Sequence, residues 1–350
     1  MHSHQKTTVF LVSFVLLLLG SCKELEKLLP TGDGSNDGPA FLNLPGNDLF
    51  PEGILATNNG DLFVGGFGNG SLLRIKSGKP VEFFKHPGQD GLSSAVGLAI
   101  DEARGRLWVA NFNLRTGRSN LKVFGVTTGV LLATLTPEDD GGFHFFNEVA
   151  LDKSGRAYVS DTGSPVIWTA DPGLKSVEIF VTNPLLDNPR PDQPFSLNGL
   201  ALTPDGRYLI ASVMDRIDPG GGRLVRVAVG NREVTDIELT GAARAIATFG
   251  GSDGMFFEAE GRLLMVNVTP PSFIMTARFS NDFRSAELVS RPTFDRVYNR
   301  ATASAVRKGR LWTVNSQLDH IIDDENGALG TPPELPFQLV NVSLKKTLGR

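Results

Sequence analysis

Apolar and polar residues alternate in short runs along most of this chain, and the runs come in pairs joined by a glycine. Glu52-Gly-Ile-Leu-Ala leads to Gly60-Asp-Leu-Phe-Val64, and Gly97-Leu-Ala-Ile leads to Gly105-Arg-Leu-Trp-Val109. The phrase returns as Asn147-Glu-Val-Ala-Leu with Gly155-Arg-Ala-Tyr-Val159, and as Asn198-Gly-Leu-Ala-Leu with Gly206-Arg-Tyr-Leu-Ile210. Two more copies pair Asp253-Gly-Met-Phe-Phe with Gly261-Arg-Leu-Leu-Met265 and Thr302-Ala-Ser-Ala-Val with Gly309-Arg-Leu-Trp-Thr313. A hydrophobic period of two, as at Leu62/Val64 or Leu107/Val109, predicts half-buried strands. Each glycine closes a hairpin, helped by Asn59, Ser154, Asp205 or Glu260 beside it.

The turn glycines recur 45 to 55 residues apart, with no helical period between them. Short strands on such a repeat predict an all-β fold, a six-bladed β-propeller with four-stranded blades. Phe41-Leu42-Asn43-Leu44 and Phe337-Gln-Leu-Val-Asn-Val342 read as strands without neighbours of their own. They are expected to meet in one blade, which closes the ring and removes open sheet edges. The stretch from Thr331 to Pro336 would feed the last strand.

Equivalent positions of a propeller converge on its axis, so the residue eight before each turn glycine carries functional weight. In order these are Glu52, Gly97, Asn147, Asn198, Asp253 and, within one residue, Ala301 or Thr302. Residues about six after the glycine, Gly66, Asn111, Asp161, Ser212, Asn267 and Asn315, should share the same rim. Taken singly, Asn198-Gly199 and Asp253-Gly254 also read as turn dipeptides and Asn147 as a cap. Glu52 is no turn residue, yet it stands in register with them. Two carboxylates near one axis, with no Lys or Arg in the set, must raise a pKa or bind a cation. Two carboxylates and two amide oxygens are hard ligands, which selects one divalent cation: calcium first, with magnesium or manganese as alternatives.

Composition is that of an ordinary globular protein, with 350 residues, 41% of them hydrophobic and 21% charged. A net charge of −4 leaves no basic footprint, so nucleic acid is not an expected partner. The ends say more. Lys6 precedes an apolar run from Val9 to Leu19, too short for a mature membrane span but suited to a secretory signal. The run ends in Leu19-Gly-Ser-Cys22, which is similar to a bacterial lipoprotein signal. That resemblance implies a signal peptide over 1–21, a lipidated Cys22, and a flexible Gly/Asp/Ser tether over 22–38. The propeller would follow over 39–350. Lys23 after the cysteine favours the outer membrane of a bacterial cell envelope, with membrane contact through the lipid anchor only. Cys22 is the sole thiol, so no disulfide within the chain is available. A monomer is expected.

Pro51-Glu52-Gly53, Asn147-Glu148-Val149-Ala150, Ser196-Leu-Asn198-Gly-Leu-Ala201 with Pro204-Asp-Gly206, and Ser252-Asp253-Gly254 resemble motifs of the SMP-30/gluconolactonase/LRE-like family. The resemblance covers roughly residues 48 to 290. It implies a six-bladed propeller with a divalent metal in the central tunnel, in a family where many members hydrolyse lactones or related esters. By position it implies Glu52, Asn198 and Asp253 as metal ligands, Asn147 as a fourth ligand or substrate contact, and Asp253 as the catalytic base. Family lactonases commonly place Arg two residues before that Asn and Asp just after it; here stand Phe145 and Glu148. With Phe143 and Phe146, Phe145 suits a more apolar lactone or ester than a sugar acid. His144 is a candidate proton shuttle on the same rim, and Asp161 a candidate substrate contact. Two functions are therefore expected in competition. One is a metal-dependent lactone or ester hydrolase; the other is a non-enzymatic lipoprotein propeller that binds a glycan, peptide or protein partner.

Overall fold

The six glycine-closed hairpins become the inner strand pairs of six antiparallel blades. The computed structural model describes residues 39–188, 195–214, 222–241, 252–259, 261–268, 272–288, 293–294, 297–321 and 330–348. The signal segment, Cys22, the tether and Glu260 lie outside them.

From the axis outward, blade 1 comprises Pro51–Ala56, Leu62–Gly66, Leu72–Ile75 and Glu82–Lys85. Blade 2 comprises Ser94–Asp101, Arg106–Asn113, Arg118–Gly125 and Leu131–Leu135, and blade 3 Phe146–Leu151, Ala157–Asp161, Val166–Ala170 and Val177–Thr182. Blade 4 follows with Leu197–Leu202, Tyr208–Val213, Arg223–Ala228 and Val234–Asp236. Blade 5 holds Met255–Phe257, Leu263–Asn267, Phe273–Phe279 and Ser285–Leu288. It is extended by Glu238–Thr240, which runs parallel to its outer strand, and by Thr293–Phe294. Blade 6 is built from both ends of the described chain: Ala301–Arg307, Arg310–Asn315, Gln338–Ser343 and, outermost, Ala40–Asn43. Phe41 lies opposite Val340 and Leu42 opposite Leu339, so the ring closes as expected.

The strands differ from the half-buried expectation in one respect. Leu62, Phe63 and Val64 are all fully buried, as are Leu107, Trp108 and Val109. Each blade is packed between two others, so alternate side chains enter two different interfaces instead of facing a core and water in turn. Phe63 meets Leu107 and Val109 of blade 2, whereas Leu62 and Val64 join Val314 and Leu339 of blade 6.

Near the axis the inner strands do not pair evenly. Register shifts between Pro51 and Ile54, Ala95 and Leu98, Phe146 and Val149, Leu197 and Leu200, and Ala301 and Ser304 mark a bulge in five blades. A bulge sets two residues against one and re-aims a side chain. Here it lets each inner strand touch the next. A Cβ on Gly53 would stand 2.1 Å from the carbonyl oxygen of Val96, and one on Gly97 2.0 Å from that of Asn147. One on Gly199 would stand 2.0 Å from the carbonyl oxygen of Asp253. These glycines are required by backbone contact between blades. Gly97→Ala is accordingly expected to cost about 3 kcal/mol, because the atoms it strikes are backbone and cannot rotate away. Gly230→Ala, with open space around its Cβ, serves as the neutral control in the same thermal unfolding series. Equal melting of the two variants would mean that the axial contacts tolerate an added methyl group.

Candidate functional site

Those contacts define the axial ring. The carbonyl of Val96 meets Gly53, that of Asn147 meets Gly97, that of Asp253 meets Gly199, and Gly254 donates to the carbonyl of Thr302 at 2.7 Å. Ser160 Oγ donates to the Asn198 carbonyl at 2.6 Å, and Thr302 Oγ1 donates to the Glu52 carbonyl at 2.8 Å. The six equivalent residues are thus Glu52, Val96, Asn147, Asn198, Asp253 and Thr302. This corrects the expectation in blade 2, where Val96 and not Gly97 is the member, and of the two candidates in blade 6 it selects Thr302. Counting back from the turn glycine fails there because that glycine sits at different points of hairpins of different length. Blade 2 therefore closes its sector with a buried valine rather than leaving it open.

Glu52, Asn147, Asn198 and Asp253 are together at the axis, each only 3–6% exposed. Asn198 Nδ2 points at the Met214 sulfur at 2.8 Å, while its Oδ1 is buried without a hydrogen-bond partner. Burial pushes the Glu52 carboxyl well above the usual carboxylate range, and the charges of Asp253 and Glu148 push it the same way. Glu148 is the residue the sequence reading missed. It occupies the register that holds Gly53, Gly97, Gly199, Gly254 or Ala303 in the other blades, and Ser160 fills the space beside it by accepting from its N–H. Burial pushes Glu148 up to about 8, eased by the Val149 N–H and reinforced by Asp253. A glutamate in a column of small residues was a signal available in the repeat alignment itself.

Glu52, Glu148 and Asp253 line one end of an axial cavity of about 750 Å³. It runs toward the tight turns, past Ile54, Leu98, Leu200 and Met255 to Pro204 and Gly261. Among the described residues, neither Lys nor Arg lines it. The donor set suits a hard cation: the carboxylates of Glu52 and Asp253 close enough to raise the Glu52 pKa, and an amide oxygen of Asn198 that accepts no hydrogen bond among the described residues. Among the described residues no three His, Cys, Asp or Glu side chains draw together as a metal-binding group, so any ion here must rely on the amide oxygens as well.

The second polar set shares the rim as expected, with Gly66 opposite Pro51, Asn111 opposite Ala95, Asp161 opposite Phe146 and Asn315 opposite Ala301. Its task is to hold the segments that enter the inner strands. Asn111 accepts from the Ser93 N–H, Ser212 from that of Ser252 and Asn315 from that of Asn299. Asp161 is fully buried and takes five donors: His144 Nδ1, the Phe145 and Gly163 N–H groups, Ser164 Oγ and Trp168 Nε1. His144 is buried between Asp161 at 2.7 Å and Asp140 at 3.0 Å, edge-on to Trp168. Phe145 stacks on Phe112 at 4.2 Å, Phe143 meets Phe112 edge-on and stays exposed, and Phe146 is in the core against Trp168. None of His144, Phe145 or Asp161 lines the axial cavity.

The Asp161 hydrogen bond raises His144 to about 8, against the opposing effect of burial, and Asp140 adds to the rise. A histidine whose folded pKa exceeds its unfolded value of about 6.5 stabilises fully below pH ~6.5 and loses that contribution as pH rises through about 8. Wild type should therefore melt above His144→Gln at pH 6, with most of that margin gone by pH 9. A margin independent of pH would assign the ring a packing role alone.

No family model matches this chain, and no curated protein matches it either. Solved structures do. The major allergen Mala s 1 of Malassezia sympodialis is 16% identical with a TM-score of 0.64, over 87% of this chain and 95% of that one. Virginiamycin B lyase from Staphylococcus aureus is 12% identical with a TM-score of 0.56, over 88% and 99%. A gluconolactonase from Xanthomonas campestris is 14% identical with a TM-score of 0.55, over 87% and 89%. At such identities the likeness is one of fold. The chain is a β-propeller that shares its architecture with these proteins, a gluconolactonase among them, as its motifs led one to expect.

Proposed function

We propose that this chain hydrolyses a lactone or related ester at the axial ring, with one divalent cation, calcium by preference, held by Glu52, Asn147, Asn198 and Asp253. The observation that supports the reading is the buried Asn198 Oδ1, which accepts no hydrogen bond among the described residues, on the same axial ring as the Glu52 and Asp253 carboxylates. Leaving such an amide oxygen unsatisfied costs about 1–3 kcal/mol, which a bound cation would offset. When bound, such an ion polarises a carbonyl and stabilises negative charge on its oxygen.

The chain's own residues supply the rest. Asp253 accepts a proton from water as the water oxygen bonds to the carbonyl carbon. The carbon–oxygen bond to the alkoxy group then breaks, and the protonated Asp253 returns its proton to the departing oxygen. His144 is charged at neutral pH and committed to two carboxylates, so it is not that base. The test is a panel of aryl esters and lactones offered to the full chain with calcium or with a chelator; calcium-dependent turnover supports the reading.

A second reading rests on the internal commitment of His144 and Asp161, which leaves fewer groups free for chemistry. On that reading the propeller binds a glycan, peptide or protein partner, and the cation only rigidifies it. Failure of the calcium-loaded protein to hydrolyse any member of the panel would make this the better account.

A further inference from the structure

A propeller always leaves a channel along its axis; the chemistry of the wall is particular to the chain. Here the cavity starts at Glu52, Glu148 and Asp253 and is walled by Ile54, Leu98, Val149, Leu200, Met255 and Phe257. Its polar wall residues are already spoken for. Ser304 Oγ bonds Thr313 Oγ1 at 2.8 Å, and Glu258 takes the Arg262 guanidinium at 3.0 Å. A sugar placed in this stretch would meet no free polar side chain among the described residues, only backbone groups on the axial edges of the inner strands, whereas an alkyl chain would bury the apolar side chains. The volume, about 750 Å³, falls among ligand sites rather than packing defects. The cavity reaches Pro204 and Gly261, residues of the hairpin turns, so its mouth lies on the turn face, opposite the rim that holds Asn111, Asp161 and Asn315.

We infer that this apolar half of the tunnel holds an unbranched alkyl chain of the substrate, entered from the turn face, with the carbonyl head at the carboxylate end. The inference rests on the hydrolase reading above and narrows its substrate to medium-chain acyl esters or alkyl-substituted lactones. From Glu52 to Ala56 the inner strand spans roughly 13 Å at ~3.3 Å per residue, which accommodates a chain of decanoyl size. Along that stretch the side chains that make no hydrogen bond, among the described residues, are apolar.

Binding is measured first with probes that carry a carbonyl and no hydrolysable bond: dodecan-2-one and butan-2-one, titrated calorimetrically into the calcium-loaded full chain. Each methylene buried multiplies affinity by about fourfold, so the long ketone should bind at least on the order of tenfold more tightly than the short one. Leu200→Trp, which fills the tunnel, should erase that difference. Ala56→Trp, at a half-buried position nearer the mouth, does the same should the first variant fail to fold. Equal binding of the two ketones, or a preference that survives both blocks, overturns the inference. Wild-type hydrolysis of aryl acetate and aryl decanoate separates it from the reading beneath it. Calcium-dependent turnover without preference for decanoate overturns the alkyl site and spares the hydrolase. Chain-dependent ketone binding with no hydrolysis of either ester overturns the hydrolase and leaves the alkyl site standing.

Discussion

Asp253→Ala is expected to lower ester and lactone hydrolysis by roughly a thousandfold or more, because one substitution removes both the general base and a ligand of the ion. The fold should survive. The Asp253 backbone holds its place in the ring: its carbonyl packs on Gly199 and its N–H donates to the Val266 carbonyl at 2.8 Å, neither of which depends on the side chain. Asn198→Ala should fall less far, by about 10- to 100-fold, and recover in part at high calcium, since it removes a ligand and no base. Steady-state rates across a calcium titration, with circular dichroism to confirm folding, distinguish the two patterns. Retained activity in Asp253→Ala would place the chemistry elsewhere on the chain.

Calcium at a hundredfold excess over its Kd is expected to stabilise wild type by about 2.7 kcal/mol, since it binds only the folded ring. For a chain of this length that is a rise in Tm on the order of 5 °C, measured against a chelated sample. Glu52→Gln should lose nearly all of the response. It should nevertheless melt no lower than wild type in chelator, because it removes a buried charge that Asp253 and Glu148 both oppose. A Glu52→Gln protein that responds to calcium as wild type does would show that the ion binds away from the axis. Serial dilution of the response with magnesium or manganese then ranks the three ions at the same site.

Different parts of the molecule were legible to different depths. Hairpins, blade number and ring closure could be read from the chain because they depend on local chemistry. A glycine at each turn and a period of two on either side dictate a hairpin wherever they occur, and six of them at a regular interval leave little choice of fold. Four of the axial residues were legible for the same reason: the repeat carries them along. Three features were decided by contacts that the strand pattern does not carry. The bulge near the axis determines which residue of each inner strand faces its neighbour, and it put Val96 and Thr302 in the ring where counting from glycines put Gly97 and left Ala301 open. The contact between successive inner strands leaves no room for a Cβ at Gly53, Gly97, Gly199 or Gly254, whereas blade 3 carries Glu148 in that register, its N–H donating to Ser160 Oγ. His144 and Asp161 stand on the expected rim, yet five donors around Asp161 and two carboxylates around His144 turn them inward. The sequence by itself determined the fold and the oxygen-bearing side chains gathered at its axis. Tertiary structure alone decided which end of that axis is apolar, since inner strands of different blades meet there, and which polar groups are already satisfied, since partners such as Asp161 and Trp168 or Ser304 and Thr313 come together only when strands pair.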